Sequence, residues 1–182
     1  FFVSNDASSD NVVQLTSVDV YFASKSNEGR GVKVEIVEAV NGFPGDKVIP
    51  FTTVRKDADE VNVDADLAIT PTTFTFESPV TLHTDREYAL IVQPEGNDPN
   101  YEVWIARTGD RDVTTDVALV TDTNAGVLFT SSNKRVWTPY QNENLKFTLN
   151  KAVYSTSTQG SVTLTNKNHE FFLIEGVSGE FN

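Results

Sequence analysis

The sequence predicts an all-β chain, an antiparallel two-sheet β-sandwich of jelly-roll-like character with about eight strands. Three observations predict it. Short β-branched and aromatic runs recur from Leu15 to Leu149, separated by Asn, Asp, Gly and Pro. Several of these runs alternate apolar and polar residues with period two. No stretch carries an apolar stripe of period 3.6 over three turns, so helices should be few and short.

Val18, Val20 and Phe22 alternate with Asp19 and Tyr21, which makes a strand with one buried and one wet face. Val32, Val34 and Ile36 repeat the pattern against Lys33 and Glu35. The phase slips at Val37 and Glu38, and a bulge or strand end there would absorb it. Gly29 and Gly31 suit the return between these two strands. Asn41-Gly42 and Pro44-Gly45 punctuate the next connection. Val48–Val54 reads as a short strand that Pro50 confines to an edge or splits. Lys56–Asp66 is polar and acidic and reads as a surface loop.

Phe74 and Phe76 alternate with Thr73 and Thr75, a strand that Pro79 should close. Glu87–Gln93 is apolar on both faces and is expected at the centre of a sheet. Tyr101, Val103 and Ile105 alternate with Glu102, Trp104 and Ala106, and the short Gly-Asn-Asp-Pro loop suggests a hairpin between these two runs. Val127–Phe129 is a further short strand, and Leu145, Phe147 and Leu149 form the last strong one. Ser155–Gly160 has linker composition. The expected organisation is a lead-in over 1–14, a sandwich over 15–153, a linker over 154–160 and the start of a further β module over 161–182. With no methionine and a beginning at Phe1, the chain is expected to be a piece of a longer polypeptide.

Composition limits function. The 26 acidic residues outnumber 14 basic ones, for a net charge of -12, which argues against nucleic acid and anionic membrane surfaces as partners. There is no cysteine, which excludes disulfides, thiolate metal sites and cysteine nucleophiles. No apolar run approaches the roughly 18 residues of a membrane span. No signal peptide is visible, and no motif asks for a cofactor.

The chemistry-bearing residues form no strong constellation. His83 and His169 lack metal-site spacing, and ordinary surface imidazoles are the simpler reading. No Gly-x-Ser-x-Gly elbow occurs. Asp57, Asp59, Glu60, Asp64 and Asp66 offer calcium several oxygens from one loop, but without the spacing of a calcium-binding loop, and a solvated acidic loop is the simpler reading. Asp110 and Asp112 are a second carboxylate pair of the kind that flanks a sugar bond in a glycosidase. Trp104, Trp137 and Tyr140 are candidate ligand-binding rings, since an exposed indole or phenol stacks on the apolar face of a sugar. Burial in the sandwich is the competing reading for both tryptophans.

Four ordered strings carry a resemblance. They are Thr16–Lys25 (TSVDVYFASK), Val37–Pro44 (VEAVNGFP), Tyr101–Arg107 (YEVWIAR) and Trp137–Leu149 (WTPYQNENLKFTL). Together they resemble a β-rich module of tail and baseplate-region structural proteins of contractile-tailed bacteriophages of the cyanobacterial type, over most of residues 15–152. The polar stretch Thr121–Gly126 departs from that pattern. The resemblance implies a virion structural component, present in several copies, that contacts other tail and baseplate proteins and meets a host surface glycan. It implies no catalytic residue. The tail from Ser161, with Phe171–Gly176 as its first strand, resembles the start of a further β module in such chains. A carbohydrate-binding module of a virion or a secreted protein is the alternative reading, and a glycan-degrading enzyme is a third.

Overall fold

Alternation along the chain becomes several antiparallel sheets, the two largest of which enclose one apolar core. The computed structural model describes residues 1–3, 11–119, 126–155, 157, 160, 161 and 163. Fourteen strands occur among them, joined only by turns, loops and two 3-10 turns. They are β1 (Phe2–Val3), β2 (Val12–Val20), β3 (Phe22–Ser24), β4 (Val32–Val40), β5 (Phe43–Val48), β6 (Val54–Lys56) and β7 (Thr72–His83). Next come β8 (Arg86–Pro94), β9 (Glu102–Val103), β10 (Ile105–Arg107), β11 (Leu128–Thr130), β12 (Thr138–Tyr140), β13 (Glu143–Leu145) and β14 (Phe147–Lys151). Two compact units divide the chain, Phe1–Ala152 and Val153–Asn182. The expected second module over 161–182, with His169 and Phe171–Gly176, lies almost wholly outside the described residues.

The two largest sheets of the first unit have the orders β14-β2-β7 and β1-β8-β4-β5 with β6 also on β4, and three two-stranded sheets, β3-β9, β10-β13 and β11-β12, accompany them. Val18, Val20, Phe22, Phe74 and Leu82 meet Val32, Val34 and Ile36 in the core, all fully buried. Burying such side chains contributes about 1.5–3 kcal/mol each, which makes this core the main favourable term. Phe1 and Val3 pack against the core and β1 pairs with β8, so part of the expected lead-in belongs to the sheet.

Several local expectations are corrected. Val48–Val54 is not a strand but the crossing from β5 to β6, which lie end to end along the same edge of β4. Thr52 fills the gap between them: its hydroxyl accepts the Ile36 N–H at 3.1 Å and donates to the Ile49 carbonyl at 2.7 Å. Pro44-Gly45 lies inside β5, and only Asn41-Gly42, both at positive φ, makes the turn. The slip after Ile36 is absorbed by a register shift between Val37 and Ala39, as the pattern requires. Pro79 does not close its strand. It lies in a long bulge of β7 opposite Thr16, beyond which Val80 and Leu82 return to the core. The acidic loop contributes buried Ala58 and Val61.

Two corrections matter for the site. β8 lies between β4 and β1 but is covered unequally: β4 pairs with it from Tyr88 to Pro94, while β1 pairs only with Arg86 and Glu87 on the other edge. It does not form a hairpin with the run after Asn100. That run pairs with β3 as β9 and with β13 as β10. It forms a wedge between them at Trp104, whose N–H donates to the Tyr21 carbonyl at 3.0 Å and whose carbonyl accepts the Lys146 N–H at 2.9 Å. Glu35, expected on a wet face, is only 3% exposed.

Candidate functional site

The free side of β8 faces a trough of about 1160 Å³. Tyr88–Pro94 of β8 lines it, together with Val103 and Ile105 of the wedge strands and Leu145 and Phe147 of β13 and β14. The β11–β12 hairpin adds Leu128, Phe129, Trp137 and Tyr140. Phe43, beside the Asn41-Gly42 turn, meets Phe129 with ring centroids 5.4 Å apart, and this contact ties the hairpin to the second sheet. Phe1 stacks on Tyr88 at 6.0 Å and tilts against Phe147 at 5.9 Å. The trough is therefore walled mainly by aromatic and branched side chains, a composition suited to apolar or ring-bearing ligands.

Two of its lining cations, Arg107 and Lys134, are paired with carboxylates. The Arg107 guanidinium donates to Glu143 through Nε at 2.9 Å and lies 2.7 Å from the same carboxylate through Nη2. That carboxylate raises the Arg107 pKa above its ordinary value. Lys134, at positive φ in the loop between β11 and β12, pairs with the buried Glu35 carboxylate of β4. Lys33 lies 3.7 Å from the other oxygen of Glu35. A buried carboxylate needs such partners, so this pair fixes the hairpin loop against the sheet. Gln93 Oε1 is buried at the trough with no hydrogen-bond partner among the described residues.

Of the predicted rings, Trp137 and Tyr140 come together as trough lining, Trp137 half-buried and Tyr140 42% exposed. Trp104 does not join them. Its indole N–H donates to the Asp64 carbonyl at 2.7 Å, which makes it a brace between the wedge strands and the loop after Val63.

The candidate calcium residues are dispersed into local structure. Asp64 turns its carboxylate inward on its own loop and accepts the amides of Asp66, Leu67, Ile69 and Thr70 at 2.9–3.3 Å. The Leu67 amide, followed by that of Ile69, holds the Asp64 pKa down to about 2. Asp57 pairs with Arg55 at 2.7 Å, and its backbone amide is capped by Glu60 at 2.8 Å. Asp66 takes part through its backbone amide, and Asp59 is exposed. No group of three or more metal-ligating side chains occurs among the described residues. The Asp110–Asp112 pair is likewise drawn into loop structure: Asp112 accepts the Thr114 and Thr115 amides at 2.9 and 2.7 Å, and its pKa is lowered chiefly by Thr115. His83 is exposed, while its backbone amide donates to the Tyr88 hydroxyl at 3.0 Å.

Sequence reasoning missed Phe43, Phe129 and the Glu35–Lys134 pair. Phe43 and Phe129 lie in short runs with no distinguishing pattern, and the ion pair joins segments far apart in the chain. No protein family model, curated protein or solved structure matches this chain.

Proposed function

We propose that this chain is a non-catalytic β-sandwich module of a phage tail or baseplate protein, acting in particle assembly and host attachment. The observation that supports the reading is the trough: a large, mainly apolar surface held by a sheet frame, with Arg107 and Lys134 of its lining already paired to carboxylates. Such a surface is suited to binding, since aromatic and branched side chains make up much of its described lining. The virion setting comes from the four strings that resemble tail modules. Mass spectrometry of purified particles tests it. The parent polypeptide is expected among the virion proteins, and its restriction to the host cytoplasm would overturn the reading.

A second reading has its own support. Trp137 and Tyr140 line one trough, and neither ring is fully buried, which meets the first requirement of a carbohydrate platform. Glycan-array binding that disappears in Trp137→Ala and in Tyr140→Ala would establish it. Binding untouched by both variants would refute it.

A further inference from the structure

We infer that two neighbouring loops, 61–71 and 108–119, form a docking surface for a protein partner that presents an apolar patch rimmed by lysine or arginine. The inference goes beyond the proposed function, because neither loop lines the trough.

Leu67 and Ile69 of the first loop and Val113 and Val117 of the second are between 43% and 63% exposed. Side chains of the same kind, such as Val18, Val20 and Leu82, are fully buried in the frame. Each loop is fixed from within. In the first, the Asp64 carboxylate gathers four backbone amides, the Trp104 indole N–H donates to the Asp64 carbonyl at 2.7 Å, and the Lys146 ammonium donates to the Ala68 carbonyl at 2.7 Å. In the second, the Asp112 carboxylate accepts the Thr114 and Thr115 amides. The Asp112 amide then donates to the Val117 carbonyl at 2.9 Å, and the Leu119 amide to the Asp110 carbonyl at 2.8 Å. The two loops are also tied together, since the Thr114 hydroxyl donates to the Leu67 carbonyl at 3.1 Å. Apolar groups held this way lose little freedom on binding, so the surface is preorganised. Clustered exposed apolar side chains mark interaction sites, whereas single ones need no explanation.

Charge selects the occupant. The loops carry five aspartates, Asp64, Asp66, Asp110, Asp112 and Asp116, against one arginine. Arg111 is already paired with the Asp116 carboxylate at 3.0 Å, and Lys146 is bound to Ala68. Asp66, Asp110 and Asp116 are exposed. The Leu67 and Ile69 amides hold the Asp64 pKa down to about 2, and chiefly the Thr115 amide lowers that of Asp112, so both stay charged at neutral pH. A second copy of the chain would bring the same aspartates, and an anionic bilayer would bring phosphates, so both are repelled. A protein surface with lysine or arginine around an apolar centre matches both features. Its charges steer the encounter and fix the orientation, while the four aliphatic side chains supply the buried area.

The test is a methyl NMR titration of the full chain with an amphipathic helical peptide, leucines on one face and lysines around them. Saturable shifts are expected at the methyls of Leu67, Ile69, Val113 and Val117, with none at Val18. Ile69→Ser and Val117→Ser should each weaken binding roughly tenfold, as truncation of a central interface residue does. Both side chains are exposed, so both variants should keep the parent spectrum at Val18. The same peptide with glutamate in place of every lysine should not bind. Unmoved loop methyls at the highest peptide concentration would overturn the inference, as would unchanged affinity in both serine variants. Equal binding of the glutamate peptide would overturn it too, by removing charge from the recognition. Loop shifts produced by phosphatidylcholine vesicles would make a bilayer the occupant, and shifts that grow with chain concentration alone would make it a second copy; either result contradicts the inference. Because the titration needs only the isolated chain, its outcome is independent of whether the parent protein is found in virions.

Discussion

The β2–β7 side and the β8 side of the sandwich use the same residue types and end up differently packed. Val18, Val20, Phe74 and Leu82 are buried to 5% exposure or less, whereas Leu90, Val92, Val103, Leu145 and Phe147 stay half-buried. The difference is one of neighbours. β2 has a strand on each side, and β8 has β4 along Tyr88–Pro94 on one side and a two-residue partner on the other. An apolar strand with an incomplete partner leaves a trough, so the same pattern builds both the frame and the surface that the frame carries.

The largest expected effect breaks that comparison if it fails. Phe74→Ala should cost about 3–5 kcal/mol in urea unfolding, because a fully buried ring leaves a cavity. Phe129→Ala, on the trough wall, should cost about 1 kcal/mol or less. Equal costs would mean that the trough is core and not surface.

The next effect concerns how the hairpin wall is held. Lys134→Ala strips the nearer partner from the buried Glu35 carboxylate and should cost about 1–2 kcal/mol, below the value for a fully buried pair because Lys134 is 34% exposed. A Glu35→Leu, Lys134→Ala double variant should recover most of that loss. If it does not, the pair is not what fixes the loop.

Trp104→Phe should cost about 1 kcal/mol, the worth of its bond to the Asp64 carbonyl. It should leave trough binding unchanged, which separates the structural tryptophan from Trp137.

The loop that Trp104 braces has its own pH signature. Asp64 has a folded pKa of about 2 against an ordinary 3.8, so its contribution is present above pH 4 and is lost as pH falls toward 2. Glu95 behaves alike, held down to about 2 chiefly by Arg55 and then by the Gly31 amide. Thermal unfolding of Asp64→Asn should therefore show a weaker loss of stability between those pH values than the parent chain.

Much of the frame is legible in the sequence because period-two alternation is a local signal. Val18-Val20-Phe22, Val32-Val34-Ile36 and Phe74-Phe76 lie where alternation predicts, and the slip at Val37 marks a real register shift. The errors arise where the sequence holds one signal for two structures. Glu87–Gln93 is apolar on both faces either at a sheet centre or beside an open trough. Pro79 either closes a strand or marks a bulge, and the partner strand decides which. Glu35 reads as solvent-facing because its counter-ion comes from a loop a hundred residues away. Trp137 and Tyr140 stand out as rings, while the pieces that make their trough come from six or more segments that only the fold assembles.

The most direct measurement is native-state hydrogen exchange along β8 in the isolated chain. Ala89, Ile91 and Gln93 point their amides at β4 and should exchange slowly, with Leu90 and Val92 orders of magnitude faster, a two-residue rhythm. Uniformly slow exchange from Ala89 to Gln93 would mean that both sides of β8 are equally closed, and the contrast between a packed frame and a half-open trough would be wrong.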